Sequence, residues 1–364
     1  MGVHPGFLRA TLKAMHLTGA GSLLAPFTRG VGVVLTLHHV RPEQPRDFSP
    51  NRILSITPDF LDRVIGFLLE AGYDIVRLDD LATRIEQGAG ERPFACFTFD
   101  DGYRDNRDHA LPVFERYGLP MAIYVTPEFA EGRGELWWLA LEEAVRRLDV
   151  VEAGIDGRPQ RLPAGTLREK EAAFDAIYWS LRAGPEREAR DEVARLCAKS
   201  GYDPSVLSSA LCMGWDELRE LACHPLVTLG AHTLGHWALR KLADDEARRQ
   251  IVESVRLIQA ETGQPCRHFS FPYGDAASAG EREFAFAREA GLRTAVTTQK
   301  SLIQPHHRDH LNRLPRVSLN GDFQSLDHLR VLLTGLPFAL LDRASRWVPS
   351  RGRLNPAASA ASTR

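Results

Sequence analysis

Two aspartates stand side by side at the end of an apolar run, in the motif TFDDGY at 98–103. Neighbouring carboxylates repel each other, which raises the pKa of one of them unless a cation lies beside the pair. Asp100 and Asp101 could therefore divide a task, one as a metal ligand and the other as a base. The alternative is an ordinary turn, since Asp-Gly is a common turn signal.

Two histidines, His232 and His236, form a second motif, HTLGH, which directly follows the apolar run at 226–231. A lone histidine is more often structural than a ligand, but two of them four residues apart at a strand end can converge on one ion. Combined with a carboxylate from the first motif, they make an Asp/His/His set. Such a set leaves positions on the ion open for water and substrate.

A third motif, FSFPYGD at 269–275, places Pro272 and Tyr273 just after another apolar run. Taken alone, it favours a simple turn from a strand into a loop, with proline and glycine shaping the backbone. The functional alternative is a rigid loop that aims a backbone N–H at a developing oxyanion.

These motifs can meet only if the elements before them end at one edge of a sheet. Short apolar runs predict strands at Gly30–Leu37, Tyr73–Leu78, Phe94–Phe99, Met121–Val125, Val227–Ala231, His268–Phe271 and Thr294–Thr297. Helical patterns separate them, as in the helix that begins at Pro58 behind its cap Thr57. The alternation is typical of parallel βα units, whose active sites lie at the carboxyl ends of the strands.

Residues 132–216 interrupt this alternation. They are rich in helical patterns and charge, with glycine and proline punctuating Gly154–Gly165. We interpret them as an insertion over the mouth of a barrel or as a small helical subdomain. Amphipathic helices are also predicted at Phe7–Leu17, Leu326–Leu332 and Phe338–Trp347, and the Ser-, Ala- and Arg-rich segment Pro349–Arg364 predicts a loose tail.

Composition excludes several classes of protein. With 364 residues, 44% hydrophobic and 25% charged, the chain is long and apolar enough for a sizeable folded core. The formal net charge is -2, which excludes a strongly basic protein that binds nucleic acid without sequence specificity. The five cysteines form no Cys-x-x-Cys pair, which argues against a disulfide scaffold and indicates a reducing compartment.

We expect no transmembrane segment and no signal peptide, because no apolar run is long enough for either. The expected location is therefore cytoplasmic. The amphipathic ends of the chain predict either contact with the inner face of a membrane or packing against a partner.

The three motifs, in this order and each after a predicted strand, resemble those of the NodB-type polysaccharide deacetylases across about residues 30–320. That family consists of metal-dependent N-deacetylases of acetylated amino sugars. The resemblance implies an α/β fold class, a distorted (β/α)7 TIM-like barrel with the helical insertion. We therefore expect an N-terminal helical segment at 1–29, the barrel at 30–325, and C-terminal helices with the tail at 326–364.

The resemblance also implies roles for individual residues. Asp101, His232 and His236 match the family's metal ligands, and Asp100 matches its general base. Tyr273 matches the residue whose backbone N–H binds the oxyanion. Zinc is the ion that such a donor set favours, although similar sites accept cobalt, manganese or nickel.

The sequence departs from the family pattern in three places. Many members carry arginine where this chain has Ser270, and neither the family's late Asp-x-x-Asp-Trp motif nor its Leu-x-x-His motif has a match here. A branch resembling exopolysaccharide deacetylases begins its barrel with a histidine at a strand end, as in TLHHV at 36–40. His38 is then the candidate general acid, the alternative being a buried histidine bonded to a carbonyl. Histidines at 306, 307 and 310 are possible substitutes.

Further residues are candidates for substrate contact. Pro272 belongs to the third motif, and Trp138 could stack on a sugar ring, although core packing of Trp137 and Trp138 is the favoured interpretation. Arg316 could contact substrate, and Arg313 and Arg316 could instead hold Asp100 in place of the missing motif. Surface charge is the alternative for both arginines.

The resemblance thus predicts a deacetylase of an N-acetylated glycan or a lipid-linked sugar, with no nucleic-acid partner. Two alternatives stay open. The same fold could hydrolyse a non-sugar amide or ureide, or the missing motifs could mark a weakened enzyme that only binds glycan. The complete set of two aspartates and two histidines argues against the second alternative, because a binding protein needs no base beside a metal.

Overall fold

The computed structural model describes residues 5–43, 46–88 and 90–347 of the chain. The tail expected at Pro349–Arg364 lies outside the described residues.

A parallel sheet forms the centre of the molecule. The strands are β1 (Gly32–Leu37), β2 (His39–Val40), β3 (Ser55–Ile56), β4 (Asp74–Ile75), β5 (Phe94–Phe99), β6 (Met121–Val125), β7 (Val150–Ile155), β8 (Arg158–Pro163), β9 (Val227–Ala231), β10 (His268–Ser270), β11 (Thr294–Val296) and β12 (Val317–Ser318). The main sheet has the order β11-β10-β9-β6-β5-β1-β12, with β4 beside the start of β5. A parallel bridge between Val296 and Leu314 joins β11 to the segment before β12, so the sheet curls towards a barrel.

Helices surround this sheet. They are α1 (Pro5–Thr18), α2 (Ala20–Thr28), α3 (Pro58–Glu70), α4 (Leu81–Glu86), α5 (Leu111–Tyr117), α6 (Pro127–Ala130), α7 (Trp137–Arg147), α8 (Leu167–Ala183), α9 (Glu186–Ser200), α10 (Val206–Leu211), α11 (Trp215–Ala222), α12 (Asp244–Thr262), α13 (Glu281–Glu289), α14 (Leu326–Leu333) and α15 (Leu336–Trp347). Thr57 caps α3 as predicted, since its hydroxyl accepts the N–H of Phe60. Among the helices described, none combines the length and apolarity that crossing a bilayer requires.

The strands are apolar on both faces because each face meets a different hydrophobic layer. On β1, Val33 and Leu35 pack in the larger cluster with the surrounding helices, whereas Val34 packs in the barrel interior with Cys96 and Tyr124. Parallel strands covered on both sides have this continuous apolar character. The strands in turn hold the loops at their carboxyl ends in fixed positions.

The insertion is rich in helices, as predicted, and it also contains a β-hairpin. The stretch Gly154–Gly165, which glycine and proline punctuate, contains parts of the antiparallel pair β7–β8. The two-residue turn Asp156-Gly157 joins these strands with φ of 50° and 75°. Two positive φ values are what a type I′ hairpin needs, and Asp-Gly supplies them. The hairpin and α7–α9 enclose a second hydrophobic core, which also includes Phe48, Tyr103 and Phe129 and contacts Tyr273.

Candidate active site

The motif residues meet at the carboxyl edge of the sheet. Asp100 and Asp101 follow β5, His232 follows β9, and both strands flank β6. Of the five described non-glycine residues with positive φ, three lie in these loops, at Asp101, Thr233 and His236, and a fourth, Tyr273, lies in the loop after β10. Left-handed backbone at such residues costs free energy, and its concentration at one edge marks a functional site.

Asp101, His232 and His236 form a compact buried cluster. One donor atom from each lies within 4.8 Å of the others. Asp101 Oδ1 is 3.6 Å from His232 Nε2 and 3.4 Å from His236 Nε2. The residues are only 1%, 1% and 5% exposed. The structure thus brings together all three predicted ligands.

The hydrogen bonds and charges of this cluster fit a divalent cation. His232 Nδ1 lies 2.7 Å from the carbonyl of Ser270, so it donates there and leaves the Nε2 lone pair facing Asp101. Burial lowers the pKa of His232 and of His236, which keeps both rings neutral. Burial and the charge of Asp100 raise the pKa of Asp101 well above its usual range, and its Oδ1 accepts no hydrogen bond from any described residue. A bound cation would stabilise the negative charge of the Asp101 carboxylate, and an Asp/His/His donor set suits zinc.

Asp100 is held by a guanidinium. Arg316 Nη1 lies 2.8 Å from Asp100 Oδ1 and Nη2 lies 2.7 Å from Oδ2. Burial raises the pKa of Asp100, but the charge and hydrogen bonds of Arg316, together with the nearby His232 and His38, outweigh burial and hold that pKa below its usual range. Arg316 also donates from Nε to the carbonyl of Thr297 and from Nη2 to the hydroxyl of Ser270. Arg316, which directly precedes β12, thus places a guanidinium beside Ser270, the position at which many members of the resembled family carry arginine.

Two of the predictions for arginines are wrong. Arg316 is fully buried and its donors are used inside the protein, so the structure gives it no surface for substrate. Arg313 does not reach Asp100 but pairs with Glu281 at the surface. Of these two arginines, only Arg316 contacts Asp100.

His38 and His39 face different surroundings. His38 lies in the field of Asp100, Arg316 and His232, and burial lowers its pKa to about 4. His38 is therefore neutral at pH 7 and carries no extra proton to donate in the resting protein. His39 turns away, with Nδ1 2.6 Å from Asp105 Oδ2 and its ring stacked on Tyr103.

The late histidines are far from this edge. The turn at 305–309 packs on α4, and Gln304 beside it bonds to Thr28 before β1. Ile303 pairs with Gly32 at the start of β1. These contacts place His306 and His307 at the amino edge of the sheet, opposite the two aspartates.

Tyr273 offers a backbone donor at the site. Its φ is 60°, its carbonyl accepts the hydroxyl of Thr298, and its N–H donates to no described residue. The ring lies 4.8 Å from that of His236. The hydroxyl accepts from Trp137 Nε1 at 2.7 Å. The preceding Pro272 is buried and presents no exposed ring to a substrate.

Trp137 and Trp138 are packed in the protein interior and do not form an exposed surface on which a sugar ring could stack. Trp137 and Trp138 are 4% and 5% exposed. Trp137 stacks on Tyr178 of the insertion, and the ring of Trp138 lies 4.7 Å from that of His236. The favoured interpretation, core packing, agrees with these contacts. Trp138 packs against the candidate ligand His236, and its ring is not exposed for stacking on a sugar.

Two buried arginines of the insertion hold the site loops, and sequence reasoning missed both. Arg190 donates to the carbonyls of Gly235 and His236 at 2.9 and 3.3 Å. Arg182 lies over the ring of Tyr273 and pairs with Asp275 at 3.0 Å. Arginines in a charged amphipathic helix normally indicate a solvated face, so the sequence held no signal for these contacts.

Comparisons with known proteins agree with this arrangement. The family model described as polysaccharide deacetylase matches residues 181–295, which include the second and third motifs. No curated protein sequence gives a match. The deacetylase PplD of Streptococcus pyogenes, in complex with acetate, superposes with a TM-score of 0.55 at 12% identity, covering 83% of this chain and 97% of its own.

Two further solved structures are similar. IcaB of Ammonifex degensii has a TM-score of 0.52 at 16% identity, with 84% of this chain and 97% of its own covered. A polysaccharide deacetylase of Bacillus cereus has a TM-score of 0.51 at 12% identity, with 83% and 68% covered. At these identities the likeness concerns the fold, and it confirms the predicted distorted (β/α)7 barrel class. With the family match, it confirms the resemblance to polysaccharide deacetylases.

Proposed function

From this resemblance to the polysaccharide deacetylases, we propose that the protein is a metal-dependent hydrolase that removes N-acetyl groups from an amino-sugar glycan. One observation carries the proposal. The carboxylate of Asp100 is oriented by the buried Arg316, and Asp100 directly precedes Asp101 of the Asp101/His232/His236 cluster. A protein that only binds glycan has no need of a base at that position.

We propose zinc as the ion. When bound by the three residues, a divalent ion polarises the acetyl carbonyl and lowers the pKa of a water molecule, which an unreactive amide requires. Asp100 accepts the proton of the attacking water at a carboxylate oxygen. Arg316 keeps that carboxylate in place through both oxygens. The N–H of Tyr273 donates to the oxygen that becomes negatively charged as the acetyl carbon is attacked.

The leaving amine must receive a proton as the C–N bond breaks. Asp100 holds a proton at that stage, and its low pKa favours giving it up. His38 directly follows β1 at the same edge of the sheet, and we propose that it takes this proton and passes it to the amine. We therefore propose that His38 is the acid that protonates the leaving amine. It receives the proton from Asp100 and is positively charged only during turnover.

The proposal is tested by acetate release and metal content measured together. Asp100→Asn should keep one equivalent of metal and lose about 10²–10⁴-fold of turnover, because asparagine accepts no proton. His232→Ala should lose both the metal and the activity. His306→Gln, at an exposed histidine of the opposite edge, is the control and should retain both. Near-normal turnover by Asp100→Asn, or stoichiometric metal in His232→Ala, would refute the assignment.

Three test substrates distinguish the glycan deacetylase from the two alternative functions. N-acetylglucosamine oligomers, a lipid-linked N-acetyl sugar and a small cyclic ureide are offered to the same metal-loaded protein. Acetate from the oligomers supports the glycan assignment. Hydrolysis of the ureide alone favours the non-sugar amidohydrolase, and binding of oligomers without hydrolysis favours the glycan-binding alternative.

We also propose a reducing, cytoplasmic location. All five cysteines are free, and four of them are buried and separate. Subcellular fractionation with trapping of free thiols tests this. Recovery of the protein outside the inner membrane in an oxidised form would contradict it.

A further inference from the structure

The helices at the two ends of the chain leave large apolar side chains in solvent. On α2, Leu23 is 79% exposed and Phe27 is 86% exposed. Leu17, Leu24, Leu340 and Leu341, on α1, α2 and α15, are exposed as well. We call these six residues the end-helix patch. Single exposed leucines are common on proteins, but six on three connected helices need an explanation.

Packing fixes the outward orientation of α2. Its inner face consists of Gly21, Ala25 and Thr28, spaced by four and three residues. The hydroxyl of Thr28 donates to the carbonyl of Thr334, and a Cβ at Gly21 would lie 3.0 Å from the Thr334 side chain. With this face against the α14–α15 turn, Leu23 and Phe27, four residues apart, must point the other way. Nothing in the described part of the chain covers them.

The same two ends concentrate positive charge. Residues 1–29 contain Arg9, Lys13 and Arg29 and no acidic residue. Residues 334–364 contain five arginines and one aspartate. These segments therefore carry formal charges of +3 and +4 in a chain whose total is -2. Lys13 and Arg343 are exposed on α1 and α15, and Arg29 is exposed directly after α2.

We propose that the end-helix patch binds the surface of an anionic lipid bilayer. Exposed leucine and phenylalanine enter the boundary between headgroups and acyl chains, and neighbouring lysine and arginine interact with anionic headgroups. A second copy of this chain is the less suitable occupant, because two patches of the same positive sign would repel. This inference does not depend on the proposed deacetylase activity.

Binding to vesicles tests the proposal. The full chain should sediment with vesicles of phosphatidylcholine and phosphatidylglycerol, more weakly with phosphatidylcholine alone, and less as salt is raised. The double variant Leu23→Ser/Phe27→Ser should lose at least about tenfold of the partition coefficient, since two large apolar anchors are removed. Trp179→Ser, which removes a 65% exposed side chain from the insertion, is the matched control and should bind as the wild type does.

Failure of the wild type to bind anionic vesicles, or equal binding by the double variant, would overturn the proposal. So would light scattering that shows a dimer which the double variant dissociates, because a second copy would then cover the patch. Acetate release from a soluble oligomer should be unchanged in both variants. Loss of vesicle binding is thereby separable from any failure of the deacetylase assignment.

Discussion

Arg316 illustrates how the fold places a guanidinium beside Asp100 without a recognisable motif in the sequence. In sequence it stands among other arginines and histidines after β11, with no pattern to distinguish it from Arg313. In the fold, Arg316 is buried against Asp100 and Ser270, whereas Arg313 meets Glu281 in solvent. Burial depends on where the last short strand joins the sheet, which the local sequence does not specify.

Removal of the two arginines should have very different effects. Arg316→Leu leaves the Asp100 charge buried without a partner and should cost about 3–5 kcal/mol in the free energy of unfolding. Arg313→Gln removes a pair that is open to solvent and should cost about 0–1 kcal/mol. Urea denaturation of the two variants measures the difference. Equal losses would mean that the pair with Asp100 is not desolvated.

At the scale of elements, the sequence was most informative where strands are long and buried. Phe94–Phe99, Met121–Val125 and Val227–Ala231 were predicted with their observed bounds, because continuous apolar runs between turn residues identify buried parallel strands. The two-residue strand β12 was missed, since two residues carry no periodicity. The β7–β8 hairpin was missed although its Asp-Gly turn was a usable signal.

The insertion should contribute to metal affinity through one helix. Arg190 on α9 holds the carbonyls of Gly235 and His236, and His236 has a φ of 59°. Arg190→Gln should weaken metal binding about 10–100-fold, as loss of a residue that orients a ligand does. Competition with a chelator measures the affinity. Arg187→Gln, at an exposed position on the same helix, should leave the affinity unchanged, and an equal effect of both would contradict the positioning role.

At the scale of the whole molecule, the end-helix patch and the active site lie at opposite edges of the sheet. The α2 helix ends just before β1, and the residues proposed to be catalytic follow the carboxyl ends of the strands. The six residues of β1 alone span about 20 Å at 3.3 Å per residue. A bilayer bound by the patch would therefore leave the catalytic edge facing water, which suits a glycan in solution better than a sugar close to the bound membrane.

Protonation of histidines should destabilise the whole fold in acid. Burial lowers the pKa of His38 and of His307 to about 4 in the folded protein. The unfolded chain binds protons at these residues from about pH 6.5 downwards, so stability is lost as the pH falls from 6.5 towards 4. Between pH 8 and 5, each should cost about 1–2 kcal/mol.

Urea unfolding of the metal-loaded protein at both pH values measures this loss. His307→Gln should remove its share of the pH dependence, and His306→Gln, at the exposed neighbour, should retain it. Full pH dependence in His307→Gln would show that His307 is not titrating as its burial indicates.

The position of the insertion also has a consequence for how the chain folds. β6 and β9 pair along their full length, from Met121 with Val227 to Val125 with Ala231, yet the whole insertion separates them along the chain. Closing a loop of roughly one hundred residues costs conformational entropy, and the strand pairing that compensates this cost forms only afterwards. An insertion that collapses first onto its own core would bring its two ends together and shorten the effective loop. During synthesis β6 leaves the ribosome well before β9, so its open edge is exposed to other chains until the insertion has folded.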